Sequence, residues 1–177
     1  MTHKITLTTD DHIAFQLYDA STNPLKRKKR RRSYFSLIII FACLSIISLA
    51  DKHKFLLYYF LFLTLISICF GNIYLRWRHK RHYTKFVQNT YPSIAEDLVT
   101  IEIGTDKIFL SDKTGDSNLN ISEIVQLSET ERHFFIKIST GPTLIVPKTD
   151  SILNEEINQM IKSHNILNVP ALHWKWR

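Results

Sequence analysis

The part of the sequence best suited to bind an anion is a run of seven consecutive basic residues, 26–32. A second basic cluster, within residues 76–82, adds four lysines and arginines. Such clusters beside a membrane attract anionic headgroups, by about 1 kcal/mol for each charge near the surface. They also act as topology signals, because basic flanks stay in the cytoplasm. Both interpretations are compatible, and the predicted headgroup contacts are Lys26, Arg27, Lys28, Lys29, Arg30, Arg31, Arg32, Arg76, Arg78, Lys80 and Arg81.

Metal-binding and catalytic chemistry have weaker support in the sequence. Glu129, Glu131 and His133 lie together at a predicted turn and are metal-ligating types, although a solvated hairpin end is the favoured interpretation. His79 and His82 have the i, i+3 spacing of two zinc ligands, but a third ligand is not evident nearby and a solvated basic flank is favoured. No serine lies in a G-x-S-x-G context, and the four glycines form no phosphate-binding loop. The sequence therefore predicts no enzyme activity, catalytic residue, cofactor or metal.

Two apolar runs without a charged residue, 34–50 and 55–75, separate the basic clusters. As helices they would span about 25 Å and about 31 Å, respectively. The hydrocarbon core of a bilayer is about 30 Å thick, so the first run is short unless its flanks snorkel or the bilayer thins. The link of residues 51–54 permits only a tight antiparallel turn. The sequence predicts a transmembrane helical hairpin over residues 34–75.

The charge distribution predicts the orientation of this hairpin. The net charge of the chain is +7, and both ends of the hairpin are strongly basic, whereas residues 51–54 carry only +1. The positive-inside rule then places both termini in the cytoplasm, in a multi-pass protein of the cell inner membrane. Nucleic acid is not an expected partner, because it would lie against a negatively charged membrane. Cys43 and Cys69 both lie in the apolar runs, which excludes a disulfide scaffold in the soluble part.

The N-terminal residues predict a strand followed by a short helix. Residues 4–9 alternate, with Ile5 and Leu7 on one face, as in a half-buried strand. Thr9 with the two acids that follow is typical of a helix N-terminus, and Asn23-Pro24 is expected to end this helix. We expect the strand to join the sheet predicted farther along the chain, which would place both sides of the hairpin in one cytosolic unit.

The C-terminal half predicts a small antiparallel sheet closed by a helix. The expected strands are residues 98–103, 107–111, 124–128, 133–138 and 143–146, separated by turn residues. In the fourth, Phe134 and Ile136 are expected in the core, opposite Phe135. A helix from about Ser151 to His164 carries one apolar stripe, which consists of Ile152, Leu153, Ile157, Met160 and Ile161.

The chain therefore divides into five predicted regions. Before the hairpin, residues 1–33 form a strand, a short helix and the basic run. After it, residues 76–93 form a basic juxtamembrane helix that ends near Tyr91-Pro92-Ser93. Residues 94–165 form the cytosolic β-domain, and residues 166–177 form an aromatic and basic tail. We expect this tail to be frayed, with a position in the headgroup region as the alternative.

Several short motifs follow one another in an order that resembles a known family. The pattern Leu7-Thr8-x3-His12-x2-Phe15-x2-Tyr18 precedes the basic run, the hairpin and the sheet domain. The sheet domain contributes Leu119-Asn120-Ile121-Ser122-Glu123-Ile124, Glu129-Thr130, Phe134-Phe135-Ile136 and Ile145-Val146-Pro147-Lys148. Over nearly its whole length the sequence resembles the YcxB-like family of small bacterial membrane proteins. One departure is Ile121, where the family typically has a tryptophan; this keeps an apolar plug.

The resemblance implies a cytosolic domain similar to a pleckstrin-homology (PH) split barrel with a C-terminal helix. The predicted fold class is thus an α+β membrane protein, with a two-helix transmembrane hairpin and a small antiparallel, PH-like β-domain closed by a C-terminal helix. The resemblance supplies no catalytic residue, because no activity is established for the family.

Two functions of different classes follow from these expectations. The favoured one is a non-enzymatic, membrane-anchored binding or regulatory module of the YcxB-like type. Residues 94–165 contain twelve acids and six bases, so repulsion from an anionic membrane favours a protein partner for this domain. The alternative is a small membrane-active or pore-forming hairpin protein, for which cross-linking would give a defined high-order ring. The sequence does not indicate an oligomeric state.

Overall fold

The computed structural model of the chain describes residues 1–50, 53–90, 97–113 and 115–176. These residues form two compact units. Residues 1–16 and 86–176 form one unit, which we call the β-domain, and residues 17–85 form the other, the helical unit. The predicted helix break at residues 91–93 lies outside the described residues, as do Asp51 and Lys52 of the predicted turn.

Three helices precede the second strand of the chain: α1 (Thr9–Thr22), α2 (Pro24–Ala50) and α3 (Lys54–Thr90). The predicted end of the first helix at Asn23-Pro24 is confirmed. Pro24 is the first residue of α2, where its fixed φ and missing N–H are tolerated, and Asn23 Oδ1 accepts a hydrogen bond from the Leu25 amide at 3.0 Å. The basic run forms the first turns of α2, and the second basic cluster continues α3, so both helices are longer than the predicted spans.

Both α2 and α3 are long and apolar enough to cross a membrane. Only 11% of the most apolar window of each helix is buried, whereas a core helix of a soluble protein is mostly covered. Large apolar side chains such as Ile46, Phe55 and Phe62 are exposed. Their exposure favours contact with lipid, because a soluble protein rarely leaves so large an apolar surface in water.

Small and hydroxyl-bearing residues form the contact between α2 and α3. The ring of Tyr34 lies against Gly71, where an added Cβ would come within 3.1 Å of it. The Tyr34 hydroxyl donates a hydrogen bond to the carbonyl oxygen of Ile68 at 3.0 Å. Ser45, Ser48 and Ser67 are buried. Small side chains at such a contact let two helices approach closely.

The first sheet of the β-domain is antiparallel, in the order β1 (Thr2–Leu7), β2 (Asp97–Ile103), β3 (Lys107–Asp112), β4 (Gly115–Asn120). Strand β1 pairs with β2 with Ile5 opposite Val99, so the expectation that the N-terminal strand joins this sheet is confirmed. Along β1 the buried residues are His3, Ile5 and Leu7. The period of two therefore identified the buried face, but it did not identify His3 as part of it.

The second sheet has the order β7-β6-β5-β8. Strands β5 (Ile124–Glu129), β6 (His133–Ile138) and β7 (Thr143–Pro147) pair antiparallel, while β8 (Asn168–Pro170) runs parallel to β5. A short 3₁₀ turn, Ile121–Glu123, joins β4 to β5. Helix α4 (Ser151–Ser163) follows β7 and begins after the N-cap residue Asp150. The helix boundary predicted from the sequence agrees with this to within one residue.

Two details of the predicted core are wrong. Phe135 was expected on the face opposite to the core residues Phe134 and Ile136, but all three side chains are buried. Phe135 is covered by Phe15 of α1, and the centres of the two rings are 5.5 Å apart. Ile152 was placed on the apolar stripe of α4 but is exposed, since it lies in the first turn on the solvent side. The rest of the stripe, Leu153, Ile157, Met160 and Ile161, is buried as expected.

Strands β4 and β8 were not predicted. The sequence of β4 is polar, and Leu119 is its one buried residue, so its alternation is too weak to recognise. The tail was expected to be frayed, but β8 pairs with β5 and the Ala171 amide donates to the carbonyl oxygen of Glu129 at 2.7 Å. A parallel strand of three residues gives little sequence signal, because it exists only through its partner.

The burial of Phe134 leads to a stability prediction. Its side chain is 1% exposed, so Phe134→Ala should destabilise the protein by about 3–5 kcal/mol, through lost burial and the cavity that remains. Phe109→Ala is the matched control, because Phe109 is 45% exposed on β3 and should cost less than about 1 kcal/mol. Unfolding of the detergent-solubilised protein, with limited proteolysis as a second measure, would test this. Equal losses for the two variants would contradict the assignment of the core.

Candidate functional site

A cleft in the β-domain has a volume of about 580 Å³. The N-terminal turn of α1, the β5–β6 turn, the end of β7 and the C-terminal tail line it. Its walls combine acids such as Asp10 and Glu131, bases such as Arg132, and the indole rings of Trp174 and Trp176. Aromatic and arginine side chains around a concave surface are typical of a binding site for a protein segment.

A histidine–aspartate pair lies in the wall of this cleft. His133 Nε2 is 2.7 Å from Asp11 Oδ1, and the His133 ring stacks on Phe135 with its plane inclined by only 10°. The other carboxylate oxygen of Asp11 accepts hydrogen bonds from the amide and the hydroxyl of Thr8, at 2.8 and 2.7 Å. Thr8 is thus the N-cap residue of α1, one residue before the predicted Thr9, and Asp11 completes a capping box with it. Asp11 binds β6 at the same time.

The environment of Asp11 favours its charged form. Burial acts to raise its pKa, but the hydrogen bonds from His133 and Thr8 outweigh burial, and the net pKa is lowered. A second pair closes the neighbouring wall, where Lys148 Nζ lies 2.6 Å from Glu129 Oε1 and 4.5 Å from the centre of the Phe134 ring. These four titratable groups therefore form two pairs, Asp11 with His133 and Glu129 with Lys148.

The candidate metal ligands predicted from the sequence do not form a metal site in the structure. Of the three residues at the β5–β6 turn, Glu129 pairs with Lys148 and His133 pairs with Asp11, so the three do not converge. His133 is buried, and the expectation of a solvated hairpin end is wrong for this residue. In the helical unit, His79 stacks on Tyr83 and His82 contacts the same ring edge-on. Within residues 1–50, 53–90, 97–113 and 115–176, no cluster of three metal-ligating side chains is present.

A second histidine–carboxylate cluster links β1 to α4. His3 is only 6% exposed, with Nδ1 at 2.8 Å from Asp150 and Nε2 at 3.3 Å from Glu156. Asp150 is also the N-cap of α4, since its other oxygen accepts from the amides of Ile152 and Leu153. The hydrogen bond to Asp150 raises the pKa of His3, burial opposes this, and Glu156 adds to the increase. The bond to His3 in turn lowers the pKa of Asp150.

Both clusters share an arrangement that we call a clasp: an aspartate binds the N-terminal turn of a helix with one oxygen and a distant histidine with the other. Sequence reasoning missed both clasps. A partial signal was present, because Asp11 and Asp150 lie at predicted helix starts and His3 shares the period of Ile5 and Leu7. The pairing itself joins residues more than a hundred positions apart, so local patterns do not reveal it.

The predicted headgroup contacts lie in the helical unit, in the first turns of α2 and the middle of α3. Two of them make specific contacts: Lys26 pairs with Asp19 and lies 5.7 Å from the centre of the Tyr83 ring, and Arg81 lies 5.4 Å from that of Trp77. The two basic clusters come together across the hairpin at one place. Burial lowers the pKa of Arg30, and the charges of Arg76 and Arg27 lower it further.

The pKa of His79 is also lowered, by burial and by the neighbouring positive charges. Burial is the largest influence that lowers its pKa, followed by the charge of Arg30 in α2 and by those of His82, Arg78 and Lys29. The two clusters are separate in the sequence, whereas the helical unit combines them into one positively charged region. Such a region concentrates anions more strongly than either cluster alone.

Comparison with known proteins yields no match to a family model, a curated protein or a solved structure. The resemblance to the YcxB-like family thus stays a prediction from the quoted motifs. The function must be inferred from the geometry of the β-domain and the helical unit.

The His3 clasp predicts a pH dependence of stability. Because folding raises the pKa of His3, its contribution is fully present below the unfolded-state pKa of about 6.5 and is lost as the pH rises through the higher folded-state value. His3→Gln should therefore reduce the unfolding temperature most at about pH 5.5–6 and least at about pH 8.5.

Thermal unfolding of the detergent-solubilised protein across this pH range would measure the effect. His173→Gln is the matched control, because His173 lies exposed in the tail and should leave the pH profile unchanged. A His3 variant whose deficit grows as the pH rises would contradict the charged clasp.

Proposed function

We propose that this protein is a non-enzymatic, membrane-anchored binding module of the YcxB-like type. Helices α2 and α3 form a hairpin through the bacterial inner membrane, and both termini lie in the cytoplasm. The β-domain is presented at the cytoplasmic face, where it binds a protein partner. The positively charged region of the helical unit contacts anionic headgroups.

The pairing of β1 with β2 is the observation that supports this proposal most. Strand β1 precedes α2 and α3, and β2 follows them, yet the two strands share a continuous antiparallel ladder from Thr2–Glu102 to Leu7–Asp97. Strands that pair must lie on the same side of a membrane. The chain between them therefore crosses an even number of times, and the two apolar helices supply two crossings.

The orientation follows from charge. All eleven predicted headgroup contacts lie in the halves of α2 and α3 that are remote from His53. Basic residues at that end favour the cytoplasmic side and attract the anionic lipids of its leaflet. His53 would then lie on the opposite side.

The architecture of the β-domain supports a PH-like fold. Two four-stranded sheets share a core with α4, whose buried residues include Leu153 and Ile157. This agrees with the split barrel and closing helix that the family resemblance implies. Fold alone does not identify a ligand, so the partner must be inferred from the surface.

The cleft supports a protein partner and a non-catalytic role. Three titratable groups of its lining already have partners: Asp11 and His133 bind each other, and Lys148 binds Glu129. Such pairs are typical of a structural wall. Arg132 is exposed at its rim, and the half-buried ring of Trp174 also lines the cleft. Trp and Arg contribute most often to the energy of protein interfaces.

The pore-forming alternative has less support. Ser45 and Ser48, which are buried in the hairpin, donate their hydroxyl hydrogen bonds to carbonyl oxygens one turn earlier in α2, at 2.9 Å each. Hydroxyls bonded in this way offer a poor lining for water or ions. Within residues 34–50 and 55–75, the exposed side chains of α2 and α3 are mostly apolar and favour lipid.

The orientation is tested by labelling single cysteines in a Cys43→Ala/Cys69→Ala background, which removes the native thiols. His53→Cys should react with a membrane-impermeant thiol reagent in intact cells, because it would face outward. Ser117→Cys in β4 should react only after the cells are permeabilised. The reverse pattern would contradict the proposed orientation.

The partner site is tested by affinity capture with the detergent-solubilised full chain. Trp174→Ala/Arg132→Ala should weaken binding of a specific captured protein by roughly 2 kcal/mol or more, the usual loss at an interface hot spot. Leu98→Ala is the matched control, because Leu98 is exposed on β2 and is not part of the cleft. Capture that is equal for wild type and both variants would exclude the cleft as the binding site.

A further inference from the structure

One flank of α2 has the polarity profile of a phospholipid. A groove of about 540 Å³ on this flank is lined by Lys29, Arg32, Ser33, Ser36, Leu37, Ile40 and Phe41. The order along the helix is two cations, two hydroxyls and three apolar side chains. At about 1.5 Å per residue, the groove extends for roughly 18 Å along the axis.

From this order we propose that the groove is a specific site for one anionic diacyl phospholipid. Lys29 and Arg32 bind the phosphate, the hydroxyls of Ser33 and Ser36 donate to the phosphate and ester oxygens, and the upper part of one acyl chain lies on Leu37, Ile40 and Phe41. The inference rests on the proposed membrane anchoring and goes beyond it, because it separates one bound lipid from general attraction to the surface.

The polar end of the groove is open to a ligand. Lys29, Arg32, Ser33 and Ser36 are all exposed. Among the described residues, Ser33 and Ser36 donate no side-chain hydrogen bond, in contrast to Ser45 and Ser48 farther along the helix, which bond to their own backbone. Two hydroxyls beside two cations form a suitable set of donors for a phosphodiester.

The apolar end is equally accessible. Ile40 is 57% exposed, and Leu37 and Phe41 are half-buried beside the face that packs on α3. An exposed aliphatic side chain at this depth of the hairpin would contact an acyl chain. The positively charged region around Arg30 and Arg76 adds a long-range attraction for an anionic headgroup over a zwitterionic one.

A second flank of α2, which shares Arg32 with the first groove, provides an internal comparison. Its groove is lined by Pro24, Arg27, Lys28, Arg31, Arg32 and Phe35. This groove has more cations but no hydroxyl, and Phe35 is its one large apolar side chain toward the membrane. This groove would therefore attract an anionic surface without a specific site, because it lacks the row of apolar side chains that would contact an acyl chain.

The two flanks allow a charge-matched experiment. Lys29→Gln/Arg32→Gln and Lys28→Gln/Arg31→Gln each remove two charges from the same turns of α2, and glutamine keeps a similar helix propensity. Native mass spectrometry of the purified full chain in detergent would measure binding of added phosphatidylglycerol and phosphatidylcholine. We expect the first variant to bind phosphatidylglycerol at least tenfold more weakly, and the second to stay within threefold of wild type.

Two further arms separate the parts of the site. Ser33→Ala/Ser36→Ala, which leaves the charge unchanged, should weaken phosphatidylglycerol binding about threefold to tenfold, and Ser33→Thr/Ser36→Thr should restore it. Glycerophosphoglycerol, the same headgroup without acyl chains, should compete only at concentrations at least a hundredfold higher than the lipid. Circular dichroism and thermal unfolding would verify that each variant is folded.

Several outcomes would overturn the inference. Equal losses for the two charge-matched variants would show diffuse attraction only, and the proposed membrane anchoring would stand. Wild-type affinity for phosphatidylcholine equal to that for phosphatidylglycerol would exclude a phospholipid site selective for anionic headgroups. Competition by glycerophosphoglycerol at lipid-like concentrations would identify a phosphate site without an acyl-chain seat. Failure of the anchoring itself would appear separately, as the reversed labelling of His53→Cys and Ser117→Cys.

Discussion

The antiparallel pairing of β1 with β2 is the interaction on which the rest of the structure depends. It joins two strands that are separated in the chain by three helices, and it brings His3, Ile5 and Leu7 into the core of the β-domain. The helices are therefore an insertion within a domain, between its first strand and its second. A β-domain built from residues after the helices alone would lack an edge strand and one side of the His3 clasp.

The two clasps hold the N-terminal segment to the rest of the β-domain at two points. Asp150 holds β1 to the start of α4 through His3, and Asp11 holds the start of α1 to β6 through His133. In each clasp one carboxylate serves both a helix cap and a distant imidazole, so moving either partner exposes unpaired groups. Buried pairs of this kind contribute modestly to net stability, and we infer that their role here is to specify one arrangement of the N-terminal segment.

Local patterns predicted the elements well where one face is buried and the other solvated, as in β1 and α4. They failed at β4, where Asp116, Ser117 and Asn118 leave a single apolar residue to mark the strand. They failed differently at Phe135, because the helix that covers it lies far away in the chain. The clasps, the cleft and the union of the two basic clusters depend on such distant contacts, and the tail strand β8 likewise exists only through β5.

The position of β1 also has a consequence for folding. This strand is synthesised first, but its partner follows only after α2 and α3, so its ladder groups stay unpaired while both helices are made. Non-local pairing of this kind slows folding, and an unpaired strand edge accepts other chains. If β1 of one copy paired with β2 of another, the product would be a strand-exchanged dimer. The two clasps, His3 with Asp150 and Asp11 with His133, hold the N-terminal segment on its own domain and act against that exchange.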